Sequence, residues 1–150
     1  SEYFKPDYLV GHSLGGMTMF YYMATYQPKH VKKMVSLGAP NRFLRITDNY
    51  KKLISLSNKS YRNFLEEFEK RFQINPSQFN SSDFVQKINV PIGIVHDKED
   101  KIVPYTDALE ITESNKHVPI YTTENLGHSL YDDNVNEQMV YFLENNRFKL

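Results

Sequence analysis

The chain has 150 residues, of which 40% are hydrophobic and 14% aromatic. This length supports one domain with a substantial core, and the composition argues against disorder. Eighteen basic residues balance eighteen acidic ones, so the net charge does not favour a nucleic acid or an anionic membrane as partner. The absence of cysteine excludes disulfides, thiolate metal sites and a cysteine nucleophile, and it fits a reducing cytoplasm. No apolar run reaches the ~20 residues that a membrane helix needs.

Predicted strands and helices alternate along most of the chain. A short apolar strand at residues 8–10 leads through a glycine-rich turn into a helix predicted over residues 17–26. Further strands are predicted at 33–37, 92–96 and 120–123, and further helices at 105–113, after Pro104, and at 134–145. Strands separated by helices indicate βαβ units, a parallel sheet and therefore an α/β fold.

The stretch 41–88 interrupts this alternation. It contains two amphipathic helical patterns, the first around Leu53 and Ile54. The second pattern places four apolar side chains on one face: Phe64, Leu65, Phe68 and Phe72. Two interpretations stay open, namely helices that pack on a neighbouring element and a helical cap over a site.

A Gly-x-Ser-x-Gly motif lies between the first strand and the first helix, as Gly11-His12-Ser13-Leu14-Gly15. A serine hydroxyl presented above the end of a strand needs a tight turn with strained backbone angles. Glycines two positions to either side of Ser13 are expected to prevent the side-chain clashes of such a turn. The alternative is an ordinary glycine-rich turn between strand and helix, of the kind that can cradle a phosphate.

A serine nucleophile needs a base, and the base needs an acid that orients it. Asp100 follows the predicted strand 92–96, and His128 follows the predicted strand 120–123. Both residues therefore lie, like Ser13, in loops at the carboxyl ends of strands, where open α/β sheets bind their ligands.

At these three segments the sequence resembles the α/β-hydrolase fold superfamily of esterases, lipases and thioesterases. The resemblance rests on residues 8–16 (YLVGHSLGG), 96–104 (HDKEDKIVP) and 126–129 (LGHS). It corresponds to the C-terminal portion of that fold. The resemblance implies a partial α/β-hydrolase fold over residues 1–150, with about four mostly parallel strands, flanking helices and a helical cap-like insert at 41–88.

The resemblance also implies an activity and its residues. Ser13 would be the nucleophile, His128 the general base and acid, and Asp100 the acid that orients His128. The backbone N–H of Leu14 would be one oxyanion donor. The implied reaction is hydrolysis of a small carboxylic-ester or related acyl substrate through an acyl-enzyme, for which no cofactor is needed. A non-catalytic interaction domain of the same fold is the alternative.

Other polar residues compete for these roles. Asp97 is an alternative acid, but the family's acid precedes x-x-Val-Pro, which favours Asp100. Side chains alternate in direction along a strand, so His12 should point away from Ser13 and is expected to pack or cap locally. No close ligand pair shares a helical face, so a metal site is disfavoured. The remaining histidines are interpreted as surface or packing residues: His30, His96 and His117.

In the family, further strands and a second oxyanion loop precede the serine turn. We therefore expect these 150 residues to be the C-terminal part of a longer hydrolase that is weak or inactive without the rest. The first strand would then be an apolar sheet edge, which favours self-association.

Overall fold

In the computed structural model, which describes residues 4–149, the chain divides into two compact units. The first unit combines the residues up to Asn41 with those from Ser81 onward, and the second unit is Arg42–Asn80. The second unit lies within the predicted insert 41–88 and is shorter than it at both ends.

Within the described residues, the first unit contains a four-stranded sheet in the order β1-β2-β3-β4, with every pair parallel. The strands are β1 Tyr8–His12, β2 Lys33–Leu37, β3 Ile92–Asp97 and β4 Ile120–Thr123. Every residue of β3 is buried, as expected for a parallel strand covered on both faces. The predicted α/β class and its four strands are confirmed.

Six α-helices accompany the sheet in the part of the chain that the structure describes. They are α1 Leu14–Tyr26, α2 Phe43–Leu53, α3 Asn58–Phe72, α4 Ser81–Val85, α5 Tyr105–Ser114 and α6 Asp133–Asn145. The Asp132 carboxylate caps α6 by accepting the N–H groups of Asn134 and Val135. α4 was not predicted, because its five residues are too few to show a helical repeat. None of the helices in residues 4–149 has the length and apolar character to cross a membrane.

Within the first unit, α1 and α5 lie on one face of the sheet and α6 lies on the other. Each strand lies next to the one that follows it in sequence, so right-handed crossovers place α1 and α5 on the same face. α6 packs on β2 and β3 from the other face. The core on that side consists of Val35, Leu37, Val95, Leu130, Val135 and Phe142.

β1 lies at an edge of the described sheet and pairs with β2 from Tyr8 opposite Lys33 to His12 opposite Leu37. Its side chains Tyr8 and Val10 are 47% and 53% exposed. α6 packs on β2 and β3, so within the described residues it leaves β1 uncovered on that face of the sheet. Self-association through this edge stays a prediction.

Aromatic rings hold the Arg42–Asn80 unit together. Phe68 of α3 stacks on Phe43 of α2 at a centroid distance of 4.1 Å and meets the Phe79 ring edge-on at 5.2 Å. The Thr47 and Tyr61 hydroxyls lie 2.9 Å apart and link the same two helices. α3 confirms the second predicted pattern. The first was misplaced, because α2 ends at Leu53 and buries Phe43 and Ile46, whereas Leu53 and Ile54 are exposed.

Candidate active site

Ser13 has a strained backbone at the point where β1 passes into α1. Its φ of 54° and ψ of −128° are rare for a residue with a side chain. The surrounding backbone holds this conformation in place. The Ser13 N–H donates to the Leu37 carbonyl at 2.8 Å, and the Ser13 carbonyl accepts the N–H groups of Gly16 and Met17 at 2.9 and 3.3 Å. The serine is thus fixed between β2 and the first turn of α1.

The glycines that the serine turn requires are Gly11 and Gly16, whereas the sequence predicted Gly11 and Gly15. A Cβ on Gly11 would lie 2.8 Å from backbone atoms of Gly15 and Gly16, so Gly11 is required, as predicted. A Cβ on Gly15 would meet nothing within 4 Å, so the predicted clash at Gly15 is wrong. Gly16 takes its place, because a Cβ there would lie 2.7 Å from Ser36 Oγ and from Ala39 Cβ.

Ser13, His128 and Asp100 form one hydrogen-bonded chain. The Ser13 Oγ lies 3.0 Å from His128 Nε2, and His128 Nδ1 lies 2.7 Å from Asp100 Oδ2. The Asp100 side chain is fully buried, whereas the His128 side chain is 21% exposed. The structure therefore brings together the three side chains that the sequence selected. Ser13 and His128 are 115 residues apart in the chain, and Asp100 and His128 are 28 residues apart.

The other oxygen of Asp100 is held by the loop that follows it. Asp100 Oδ1 accepts the N–H groups of Ile102 and Val103 at 2.8 and 2.9 Å. The buried His96 ring completes this arrangement. Its Nε2 donates to the Val103 carbonyl at 2.9 Å and lies 3.5 Å from Asp100 Oδ2. Sequence reasoning treated His96 as a packing residue and missed this contact; its position four residues before Asp100 was the available signal.

Gly38 lies against the hydrogen bond between Asp100 and His128. It has a φ of +55°, and a Cβ there would stand 3.5 Å from both Asp100 Oδ2 and His128 Nδ1. The Gly38 N–H donates to the Val95 carbonyl at 2.9 Å. Besides ending β2, this turn brings backbone close to the acid and the base.

His12 contacts the histidine loop instead of its own surroundings. Its Nε2 donates to the backbone carbonyl of His128 at 2.7 Å, and the two rings lie 4.9 Å apart. The expectation that His12 packs or caps locally is wrong. Alternation along β1 turns His12 away from Ser13, but the loop after β4 reaches that side.

Asp97, the alternative acid, is occupied elsewhere. Its buried carboxylate accepts the Thr123 hydroxyl at 2.7 Å and the N–H groups of Leu126 and Glu99 at 3.0 and 2.9 Å. Burial raises the pKa of Asp97, but these hydrogen bonds and one from the Gly127 N–H outweigh it and leave the pKa below its ordinary value. Asp97 is therefore an ionised acceptor for the neighbouring loop.

An open groove adjoins the base. It has a volume of about 430 Å³, and His128, Ile102 and Lys101 are among its lining residues. This size falls in the range of small-molecule sites. Within residues 4–149, no three His, Cys, Asp or Glu side chains are grouped so that they could hold a metal ion.

Comparison with known proteins supports the α/β-hydrolase fold that the sequence motifs suggested. Residues 4–71 match the family described as alpha/beta hydrolase fold. No curated protein matches the chain in sequence. Similarity to solved structures is extensive, although sequence identity is low.

Three of these structures illustrate the similarity. An esterase domain from Rhodothermus marinus has a TM-score of 0.64 at 18% identity, over 95% of this chain and 61% of its own. An esterase from Pyrococcus furiosus has a TM-score of 0.64 at 18% identity, over 91% of this chain and 52% of its own. A bromoperoxidase from Bacillus anthracis has a TM-score of 0.66 at 20% identity, over 92% of this chain and 67% of its own.

The chain thus spans between 52% and 67% of the length of these three proteins. Three observations point to the same fold: the parallel sheet, the strained serine turn after β1 and the family match over residues 4–71. The described residues therefore have part of the α/β-hydrolase fold.

Proposed function

We propose that this chain carries the catalytic centre of a serine hydrolase that acts on carboxylic-ester or related acyl substrates. The observation that carries the proposal is the hydrogen-bonded chain from Ser13 Oγ through the His128 ring to Asp100 Oδ2, at 3.0 and 2.7 Å. Two of the similar structures are esterases, which supports the reaction class. Fold alone would not, because one fold hosts many reactions.

In the first half of the reaction, Ser13 attacks the carbonyl carbon of the substrate. His128 donates its Nδ1–H to the Asp100 carboxylate, so its Nε2 lone pair faces the Ser13 hydroxyl. Nε2 takes the hydroxyl proton as the Oγ–carbon bond forms, and it returns that proton to the departing alcohol oxygen. Asp100 keeps the imidazole in this orientation and stabilises its positive charge.

The second half regenerates the serine. His128 removes a proton from water, which attacks the acyl carbon, and the Oγ–carbon bond breaks as the proton returns to Ser13. The negative oxygen that forms in both halves needs a donor. Leu14 is the first residue of α1, so its N–H has no partner inside the helix and lies at the positive end of the helix dipole. We assign it as one oxyanion donor.

The groove beside His128 is proposed to receive part of the small acyl substrate, and the Arg42–Asn80 unit is proposed to act as the cap. That unit occupies the sequence position between β2 and β3, where the resemblance implies a cap. We further propose that the full activity belongs to a longer protein, with additional oxyanion contacts supplied from outside these 150 residues.

Labelling with a serine-reactive fluorophosphonate tests this function. The full chain should be labelled at Ser13, and S13A should abolish the labelling. H128A should slow it by roughly 10⁴–10⁶-fold, because the base and the nucleophile act as a unit. Ser129 is the matched control, since it lies one residue from His128 and its hydroxyl donates to the Leu126 carbonyl.

S129A should therefore label at the rate of the unaltered chain. Labelling that persists in S13A would contradict the proposal. Complete absence of labelling, in this chain and in a longer protein that contains it, would favour a non-catalytic interaction domain.

A further inference from the structure

The loop after β3 carries Asp100 and the loop after β4 carries His128. The buried Asp97 side chain contacts both loops. We propose that Asp97 is a positioning residue for His128, tying the loop after β4 to the end of β3. This inference rests on the proposed function, because it concerns how the base of that reaction is held.

The contacts of Asp97 run across the two loops. Oδ2 accepts the Thr123 hydroxyl at the end of β4 and the N–H of Leu126, which lies two residues before His128. Oδ1 accepts the N–H of Glu99, one residue before Asp100. A single carboxylate thus fixes the backbone next to the acid and the backbone next to the base.

The loop that carries His128 needs such a tie. Asn125, Gly127 and Leu130 all have positive φ values, of 64°, 62° and 51°. The loop itself forms only one short 3-10 turn, Gly127–Ser129, so its position relative to the end of β3 depends on contacts that reach it from other elements. Asp97 is the acceptor for the Leu126 N–H in the middle of this loop.

One hydrogen bond and one ion pair also join the same two loops at the surface. Glu99 Oε2 accepts the Asn125 N–H at 2.6 Å, and Lys98 Nζ lies 2.6 Å from Glu124 Oε1. Lys98 and Glu124 are about half exposed, and exposed pairs contribute little to stability. Asp97 differs because it is buried, so its loss would leave several donors unsatisfied.

The effect on the reaction follows from geometry. His128 must place Nε2 within hydrogen-bond distance of Ser13 Oγ, and a ~1 Å misplacement can lower turnover by ~10²-fold. Asp97 does not line the groove beside His128. Leu126 and Glu99, which Asp97 holds, do line that groove, so the loss of Asp97 should lower kcat and also change KM.

Three variants test the inference. D97N keeps the shape of the side chain but exchanges one acceptor oxygen for a donor, and kcat should fall by about 10–100-fold. T123V removes the hydroxyl that donates to Asp97 and should lower kcat to a smaller extent. T123S keeps that hydroxyl and should restore kcat towards the value of the unaltered chain.

D107N is the matched control. Asp107 is also buried, and it accepts a backbone N–H, from Asn41, at 2.7 Å. D107N should lower the melting temperature like D97N, yet leave kcat close to the unaltered value. If D97N and D107N have the same kcat, or if T123V and T123S do, the inference is overturned.

An NMR measurement separates this inference from the proposed function. The proton on His128 Nδ1, bonded to Asp100, and hydrogen exchange at the Leu126 amide report the loop position without any turnover. D97N should shift that proton resonance and speed exchange at Leu126, whereas D107N should do neither. An unchanged resonance and unchanged exchange in D97N would overturn the inference even in an active enzyme. Absence of Ser13-dependent turnover, both in this chain and in a longer protein that contains it, would contradict only the proposed function.

Discussion

Gly11 and Gly15 stand at equivalent distances from Ser13, but space requires glycine at only one of them. The backbone of Gly15 and Gly16 folds back over Gly11, where a Cβ would lie at 2.8 Å. Gly15 itself faces open space and has helical backbone angles within α1. The motif therefore combines a steric requirement with a position that tolerates a side chain.

This difference predicts opposite effects of two alanine substitutions. G11A should lower the free energy of unfolding by about 1–3 kcal/mol, because backbone atoms must move to admit the methyl group. G15A should raise it by about 0.5–1 kcal/mol, because alanine loses less conformational entropy in a helix. Urea unfolding of both variants measures the two changes. Equal destabilisation by G11A and G15A would contradict the assignment.

His12 holds the histidine loop from the side of β1. Its Nε2 donates to the His128 carbonyl at 2.7 Å, so a glutamine, whose Nε2 also carries hydrogen, can replace it. H12L should slow fluorophosphonate labelling by about 5-fold, which corresponds to the loss of one hydrogen bond of ~1 kcal/mol. H12Q should slow it less. The contact has no functional weight if H12L labels as fast as H12Q.

At the scale of elements, the loop after β3 and the loop after β4 are linked by an ionised carboxylate. The folded-state pKa of Asp97 lies below its ordinary value, since the hydrogen bonds of the carboxylate outweigh its burial. The unfolded chain therefore binds more protons than the folded chain as the pH falls towards the folded pKa. The stability that Asp97 contributes is fully present above about pH 4 and is lost as the pH falls through the folded pKa.

Acid unfolding of D97N should show this dependence. The difference in free energy of unfolding between the unaltered chain and D97N should be largest near neutral pH and shrink steadily below about pH 4. Chemical denaturation at a series of pH values measures it. Because other carboxyl groups titrate in both proteins, the difference isolates Asp97. A difference that is constant down to pH 2 or grows in acid would contradict the lowered pKa.

At the scale of the whole molecule, the chain leaves the first unit and returns to it at one point. The Ser81 N–H donates to the Asn41 carbonyl at 2.8 Å, and the Ser82 N–H donates to Asn41 Oδ1 at 2.8 Å. With only two residues between Asn41 and Ser81, that first hydrogen bond would become the closing bond of a β-turn.

Replacing Arg42–Asn80 by Asn-Gly should therefore leave the first unit folded. Circular dichroism and a cooperative thermal transition would establish folding. Labelling at Ser13 should persist, because the hydrogen-bonded chain to Asp100 lies within the first unit. If the excised unit acts as the cap, KM should rise more for long acyl esters than for acetate esters. A shortened chain that fails to fold would contradict the independence of the first unit.

Much of the architecture could be predicted because its signals are local. The strands at 33–37 and 120–123 agree with the observed bounds, since Gly38 directly follows the first and Pro119 directly precedes the second. Apolar spacing predicted α3 and α6, and Pro104 marked the start of α5, whereas the pattern predicted around Leu53 and Ile54 lies at the end of α2. α1 begins three residues earlier than predicted, because Gly15 and Gly16 lie inside a helix, where glycine is normally unfavourable.

By itself, the sequence determined the fold class and the three side chains of the proposed site, because a parallel sheet brings the carboxyl ends of its strands to one edge. Only the tertiary structure decided which neighbours hold those side chains. Asp97, His12 and Gly38 contact segments that are distant in sequence. Such contacts depend on how the ends of β1 to β4 meet in space, and spacing along the chain carries no information about that meeting.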